Sequence, residues 1–283
     1  MKHQRAKYKR ILYFLLIVST MGSILPMIYM LSTTLRPNGA LYEFPPRFFP
    51  SLDTLTFENF TFVLFQSKFY LNFLNSVFVS VVSVTIAALV SSALGFILGK
   101  FNFKGKKFLF ALIIVTMIIP GTTLIVPQFE LAFKLGAVNK LPWLIPFYVA
   151  WVIPFSTFMI KGFMEGIPNE IIDAAFIDGA DVFTIFFRIA LPLASPAIAS
   201  VSIFNFLTAW EEYPWANTVI NDNDLRTLPI AIAGFFGQHQ FTQWGYVFAM
   251  STISLVPILL VFIFFQKYFV TGLSAGSVKG AWC

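Results

Sequence analysis

The chain holds only 13 acidic residues among 283, and five of them fall in one short stretch: Glu165, Glu170, Asp173, Asp178 and Asp181. No nucleophile or ligand set accompanies them. His3 and His239 lack ligand-like spacing, Ser195 has no nearby histidine, and Cys283 is the lone cysteine, which excludes an internal disulfide framework and any CxxC site. The sequence also lacks a G-x-x-x-x-G-K-[ST] phosphate loop, a strand-borne G-x-G-x-x-G and an H-E-x-x-H pair. These residues therefore point to recognition between surfaces, not to bond-making. No metal, no cofactor and no enzymatic activity is expected of this chain.

The elements that must position the acids can be read from Glu165 to Leu193. Ile167-Pro168-Asn169-Glu170 predicts a helix start, because proline needs no N–H partner in a first turn and Glu170 and Asp173 favour the positive helix end. Gly179 predicts a left-handed stop, and Asp181 predicts the cap of a second helix from Val182. The expectation is a helix, a corner and a helix, with Ala174-Ala175 leaving one face bare for close approach by another protein.

Composition sets the medium. The chain is 58% hydrophobic and 11% charged, with a mean hydropathy of +0.79. Soluble domains carry about 25% charged residues, so this is an integral membrane protein. Six runs are long and apolar enough to cross a bilayer: Ile11–Leu35, Leu71–Gly99, Phe108–Gln128, Leu141–Ile160, Ile189–Trp210 and Gly245–Gln266. None holds an acidic or basic residue, although Pro26, Pro120, Pro146, Pro154, Pro196 and Pro257 interrupt them. The first run is too long for the apolar region of a cleavable signal peptide. Net charge is +6, but its placement matters more: residues 2–10 hold five Lys/Arg and Lys100–Lys107 four Lys, the pattern of cytoplasmic segments. Nucleic-acid binding is excluded on the same ground. Both termini are expected in the cytoplasm, with Arg36–Tyr70 outside as an irregular cap carrying a short helix near Asn59. Lys161–Arg188 has a net charge of −3 (two bases, five acids), so parity places it inside.

Asp173-Ala174-Ala175, Asp178-Gly179-Ala180, Ile189, Leu191 and Pro192 resemble the EAA signature of bacterial ABC-importer permeases, with aspartate in place of the leading glutamate. The run Gln266–Gly280, with Met117–Pro120, Ile160–Phe163 and Leu225–Pro229, resembles carbohydrate importers, and in particular the second permease of the maltose importer. The resemblance implies an all-α type I ABC-importer permease fold of six transmembrane helices with a cytoplasmic coupling helix. It implies residues 1–70 as an N-terminal span and external segment, 71–268 as the transmembrane domain, and 269–283 as a cytoplasmic tail. Coupling to an ATPase would fall to Glu170, Asp173, Ala174, Ala175, Asp178, Gly179, Ala180, Ile189, Leu191 and Pro192. Implied partners are a homologous permease, two ABC ATPase subunits that bind ATP and Mg, an extracellular solute-binding protein and the lipid bilayer of a prokaryotic cell membrane. The binding protein would be probed by Tyr213–Trp244, and the ATPase dimer by Thr271–Gly280.

Two rivals belong to other classes. An ion-coupled carrier or channel would place ionisable residues in mid-membrane, and the six runs have none. An assembly factor without transport would show no solute-dependent ATPase stimulation. In the signature's wider context Glu211 departs from the family's usual Asn after Trp210, and Ala281–Cys283 extend past the usual end. Trp143, Trp151 and Trp215 lie near span boundaries and are expected in the interfacial belt in preference to stacking on a sugar.

Overall fold

The structure, a computed structural model, describes residues 2–38, 42–44, 47–236 and 242–277, with side chains between 9 and 266. His239 and residues 278–283, including Cys283, lie outside the described residues. All regular structure among the described residues is helical. Among the described residues, four helices are long and apolar enough to cross a membrane by themselves, and the number rises to six when each of two bent pairs is taken as one span. The four are α1 (Lys2–Thr34), α2 (Phe69–Lys100), α5 (Leu144–Glu165) and α9 (Trp244–Ser277).

The two bent pairs show where the expected proline interruptions become breaks. Over 108–128, α3 (Lys106–Thr116) stops and α4 (Ile125–Lys134) follows a single-turn segment, with a bend of 89°. The α-helical ladder ends at Thr116, and Pro120, with no N–H to give and an extended ψ of 126°, keeps it from resuming before Gly121. The fifth crossing starts earlier than Ile189. The return segment Val182–Leu193 meets α7 (Ser195–Trp210) at 75° beside Ala194, where Pro196 opens the new helix. Pro26, Pro154 and Pro257, by contrast, remain inside unbroken helices. α9 runs on without interruption to Ser277, so the first residues of the expected tail are helical.

The chain divides into two compact units. The first joins Met1–Tyr70 to Ala231–Val256. The apolar side chains of α1 stay largely exposed along its length, as lipid-facing residues do, until Ser32, Thr33 and Thr34 enter the interior. Arg36 is buried and donates from Nη1 to the Arg47 carbonyl over 2.6 Å. Asn59, in the expected short helix (Glu58–Thr61), donates to the carbonyls of Thr34 and Arg36 over 2.8 and 2.7 Å. Phe62 stacks on Tyr246 with centroids 3.9 Å apart.

The second unit comprises Leu71–Ile230 and Pro257–Cys283. One core cluster joins α5 to α8 (Pro214–Val219) through Leu144, Tyr148, Trp215 and Val219. Trp215 is 1% exposed, with its ring 4.6 Å from Phe147 and 6.4 Å from Trp151, so it belongs to the interior and not to an interfacial belt. The cause is local: Glu212 caps α8 by accepting the N–H groups of Trp215 and Ala216 over 2.7 and 2.9 Å, which turns the indole inward. Trp143, 37% exposed, agrees with the belt reading. Within the expected outer probe, Trp215, Ala216, Val219 and Ile220 are therefore core, and Asn221–Asp224 is exposed. A second cluster, built on Phe96, Ile160 and Met164, supports the stretch described next.

Candidate functional site

α5 ends at Glu165, and Gly166, Ile167 and Pro168 carry the chain into α6 (Asn169–Ile177). Pro168 sits one position before the first helical residue with an extended ψ of 135°, and Glu170 occupies the first turn as expected. The helix closes in a Schellman arrangement: Gly179 N–H donates to Phe176 O over 3.0 Å and Ala180 N–H to Ala175 O over 3.0 Å. Gly179 has φ +85°, a conformation that costs an L-residue. No atom lies within 4 Å of where its Cβ would be, so the requirement for glycine is conformational and not steric.

Asp181 then adopts an extended backbone and accepts the Thr184 N–H over 2.8 Å, capping the return segment. Hydrogen bonds from the Thr184 hydroxyl and then its N–H hold the Asp181 carboxyl below its usual range. The return helix contains a π-type stretch over Phe186–Ala190 before Leu191–Leu193.

Burial separates the expected site residues into two groups. Ile172 and Ala175 pack with Ile185, Phe186 and Ala190 against Phe96, Ile160 and Met164, with Ala180, Ile189 and Leu191 at the margin. Ala175 is thus a core residue, which corrects the expectation that Ala174 and Ala175 share a bare face. Adjacent helical positions point about 100° apart, so only Ala174 is exposed. Glu170, Asp173, Asp178 and Pro192 are exposed.

The larger surprise is apolar. Ile177 is 86% exposed and Phe183 74%, on either side of the Gly179 corner, with Phe176 and Val182 about half as exposed beside them. Neither Ile177 nor Phe183 was among the expected site residues. A signal was available, since Ala174 and Ile177, three positions apart, fall on the side of α6 away from Ile172 and Ala175.

Lys100, the last residue of α2, closes the base of the element. Its Nζ donates to the Ile167 carbonyl and, over 3.0 Å, to Asn169 Oδ1, the two residues flanking Pro168. Lys161 pairs with Glu165 over 2.6 Å and lies 4.5 Å from the Phe110 ring centroid.

The family model described as binding-protein-dependent transport system inner membrane component matches residues 91–274. The arabinooligosaccharides transport system permease protein AraQ of Halalkalibacterium halodurans is 38% identical over 250 residues, covering 88% of this chain and 86% of that protein. The melibiose/raffinose/stachyose import permease protein MelC of Bacillus subtilis is 31% identical over 281 residues, covering 99% and 100%. A crystal structure of a bacterial ABC transporter involved in the import of the acidic polysaccharide alginate contains a chain of the same fold, with a TM-score of 0.77 at 21% identity over 93% of this chain and 97% of that one. With the matched region spanning α2 to α9 and including the whole Gly179 corner, the chain belongs to the family of binding-protein-dependent transport system inner membrane components, the permeases of ABC transporters.

Proposed function

We propose that this chain is one permease subunit of an ATP-driven sugar importer in a prokaryotic cell membrane, with both termini and α6 in the cytoplasm. It pairs with a homologous permease, receives solute from an extracellular binding protein, and is driven by two ABC ATPase subunits. Those subunits bind ATP and Mg; this chain holds no cofactor and performs no hydrolysis. The sugar class is supported by relatives whose names specify arabinooligosaccharides and melibiose, raffinose and stachyose.

The carrying observation is the corner itself: a short helix stopped by a positive-φ glycine, with Ile177 and Phe183 exposed on an element too rich in acids to lie in lipid. Exposed apolar side chains rimmed by carboxylates mark a protein-docking surface. In this reading Ile177 and Phe183 seat in the ATPase, Glu170, Asp173 and Asp178 make the polar rim, and Ala174 permits close approach. Ala175, Gly179, Ala180, Ile189, Leu191 and Pro192 fix the corner and join it to the membrane body. Closure of the ATPase pair displaces α6, and the shared core of Ile160, Ile172 and Ile185 passes that displacement into α5 and the return segment.

The test is Ile177→Cys in a Cys283→Ser background, co-expressed with the cognate ATPase and partner permease. Crosslinking to the ATPase, and ATP-dependent sugar uptake by reconstituted vesicles, are the expected results. A cysteine at 177 that never meets an ATPase, or uptake independent of ATP, overturns the assignment.

A further inference from the structure

α2 is held at both ends by side-chain bonds to backbone of other segments. At one end the Asn72 amide donates to the carbonyls of Asn223 and Arg226 over 3.2 and 3.0 Å. The Asn75 amide donates to Asp224 O and Arg226 O over 2.9 and 3.0 Å, and Ser76 Oγ accepts the Leu228 N–H over 2.7 Å. Together they clasp the loop Asn223–Leu228, which is exposed at Asn223 and Asp224. At the other end, Gly95 and Gly99 bring α2 against α5 so closely that a Cβ on either would lie 2.8 Å from an Ile160 or Met164 carbon. This is the small-xxx-small contact that lets membrane helices touch backbone to backbone. Phe96 enters the cluster beneath α6, and Lys100 binds both sides of Pro168, the pivot between α5 and α6.

Between Asn75 and Lys100 lie 25 helical steps, about 38 Å at 1.5 Å each, which is enough to cross the hydrocarbon core. No proline interrupts α2, so it can transmit a push without folding at a hinge. The packing of Ile172 and Ala175 on Phe96 joins α6 to α2 by apolar contact, and Lys100 adds a polar tie at the Gly166–Pro168 pivot itself. With it, α6 and α2 shift as one piece.

We infer that α2 is a strut linking the outer loop Asn223–Leu228 to the docking helix α6, with Asn72 and Asn75 as positioning residues at the loop end and Lys100 at the α6 end. This rests on the importer reading, in which that loop faces the binding protein and α6 faces the ATPase. Engagement of the loop from outside then biases the position of α6, and ATPase closure biases the loop, as reciprocity of coupling requires.

The experiment uses the complete transporter in proteoliposomes, with ATPase retention, basal ATPase rate and the rate with liganded binding protein measured together. Lys100→Met and Asn75→Leu each keep the ATPase subunits and the basal rate but lower the stimulation ratio about tenfold, within the range of allosteric couplings. Lys100→Arg, which keeps a donor, preserves the ratio. The double variant falls no further than the worse single one, because the two ties act in series. If Lys100→Met blocks assembly, Lys100→Gln and Asn75→Leu give the same readings. A part that only supports the fold would lower assembly and both rates in proportion, leaving the ratio unchanged. Wild-type ratios in Lys100→Met and Asn75→Leu, or losses that multiply in the double variant, overturn the strut alone. Absence of ATPase subunits from the wild-type complex overturns the importer reading and the strut with it.

Discussion

The Tyr148 hydroxyl donates to Glu212 Oε2 over 2.7 Å, joining the first turns of α5 to the cap of α8 across 64 residues of sequence. The same carboxylate accepts the Trp215 and Ala216 N–H groups, so one side chain sets a helix start and the inward turn of the Trp215 ring. Bonds to a charged acceptor each contribute about 1.5–3 kcal/mol, without strict additivity. Glu212→Ala is therefore expected to destabilise the detergent-solubilised protein by on the order of 3 kcal/mol, since three donors lose their acceptor. Tyr148→Phe should cost less, about 1.5 kcal/mol, because it removes one bond to the carboxylate and leaves the cap intact. Glu211, the preceding residue and an exposed one, should change stability by less than about 0.5 kcal/mol when replaced by alanine. Denaturant unfolding of the three variants checks the ranking.

Gly179→Val places a β-branched residue at φ +85° in open space. The expected penalty is about 1–3 kcal/mol of backbone strain, which local rearrangement of the corner can relieve. The variant should therefore fold and insert, yet lose most uptake, because Ile177 and Phe183 no longer present a fixed pair. The milder test is Gly179→Asn, since asparagine tolerates the left-handed region and should retain more uptake. Uptake per inserted transporter, normalised by membrane protein, distinguishes the two.

Gly245 begins α9 against Asn59, and a Cβ there would lie 2.5 Å from Asn59 Oδ1. Asn59 cannot withdraw freely, since its amide holds the Thr34 and Arg36 carbonyls where α1 ends. Gly245→Ala should thus destabilise the first unit by about 1–3 kcal/mol, the usual range for overpacking. Asn59→Ala removes the obstruction along with its bonds, so the double variant should be less destabilised than the sum of the singles. A thermal-shift cycle of the four proteins measures that coupling.

Much of this is legible in the sequence, and the failures have definite causes. Pro168, Glu170, Gly179 and Asp181 act through their own backbone neighbourhoods, so their roles follow from residue type and order, and each sits within one position of where that chemistry places it. Six apolar runs are equally plain, because length and hydropathy are additive along the chain. The 89° and 75° bends are not, because a proline in an apolar run can be absorbed, as at Pro154, or can lie in a break, as at Pro120. Neighbouring carbonyls decide between these outcomes, and sequence does not show them. Trp215 and Ala175 escape for a related reason. Distance from a span boundary and small size say little about facing, whereas the capping by Glu212 and the helical phase set by Ile172 decide it. Lys100 reads in the sequence as one of four positive charges, and its binding to Ile167 and Asn169 depends on a helix crossing that only the fold creates.

Asp181 provides a pH prediction confined to the corner. Its folded carboxyl lies below the ordinary value of 3.8, chiefly through the Thr184 hydroxyl bond and then the Thr184 N–H. A depressed carboxylate favours the folded corner above its unfolded pKa, and that contribution disappears as pH falls through the lower folded value. Between pH 5 and 8, roughly the usual range of greatest stability, the cap should therefore be pH-independent, with loss only below the ordinary carboxylate range. Asp181→Asn keeps an oxygen acceptor but no titration, so its Thr184 amide should exchange slowly at neutral pH and show no added acid sensitivity. Asp181→Ala should expose that amide to fast exchange at every pH, since Asp181 Oδ1 is its acceptor. Hydrogen exchange read by mass spectrometry over residues 179–187, at neutral and acid pH, compares the three proteins. An acid-sensitive Asn variant, or equal protection in the Ala variant, would assign the corner's order to the packing of Ile185 and Phe186 in place of the cap.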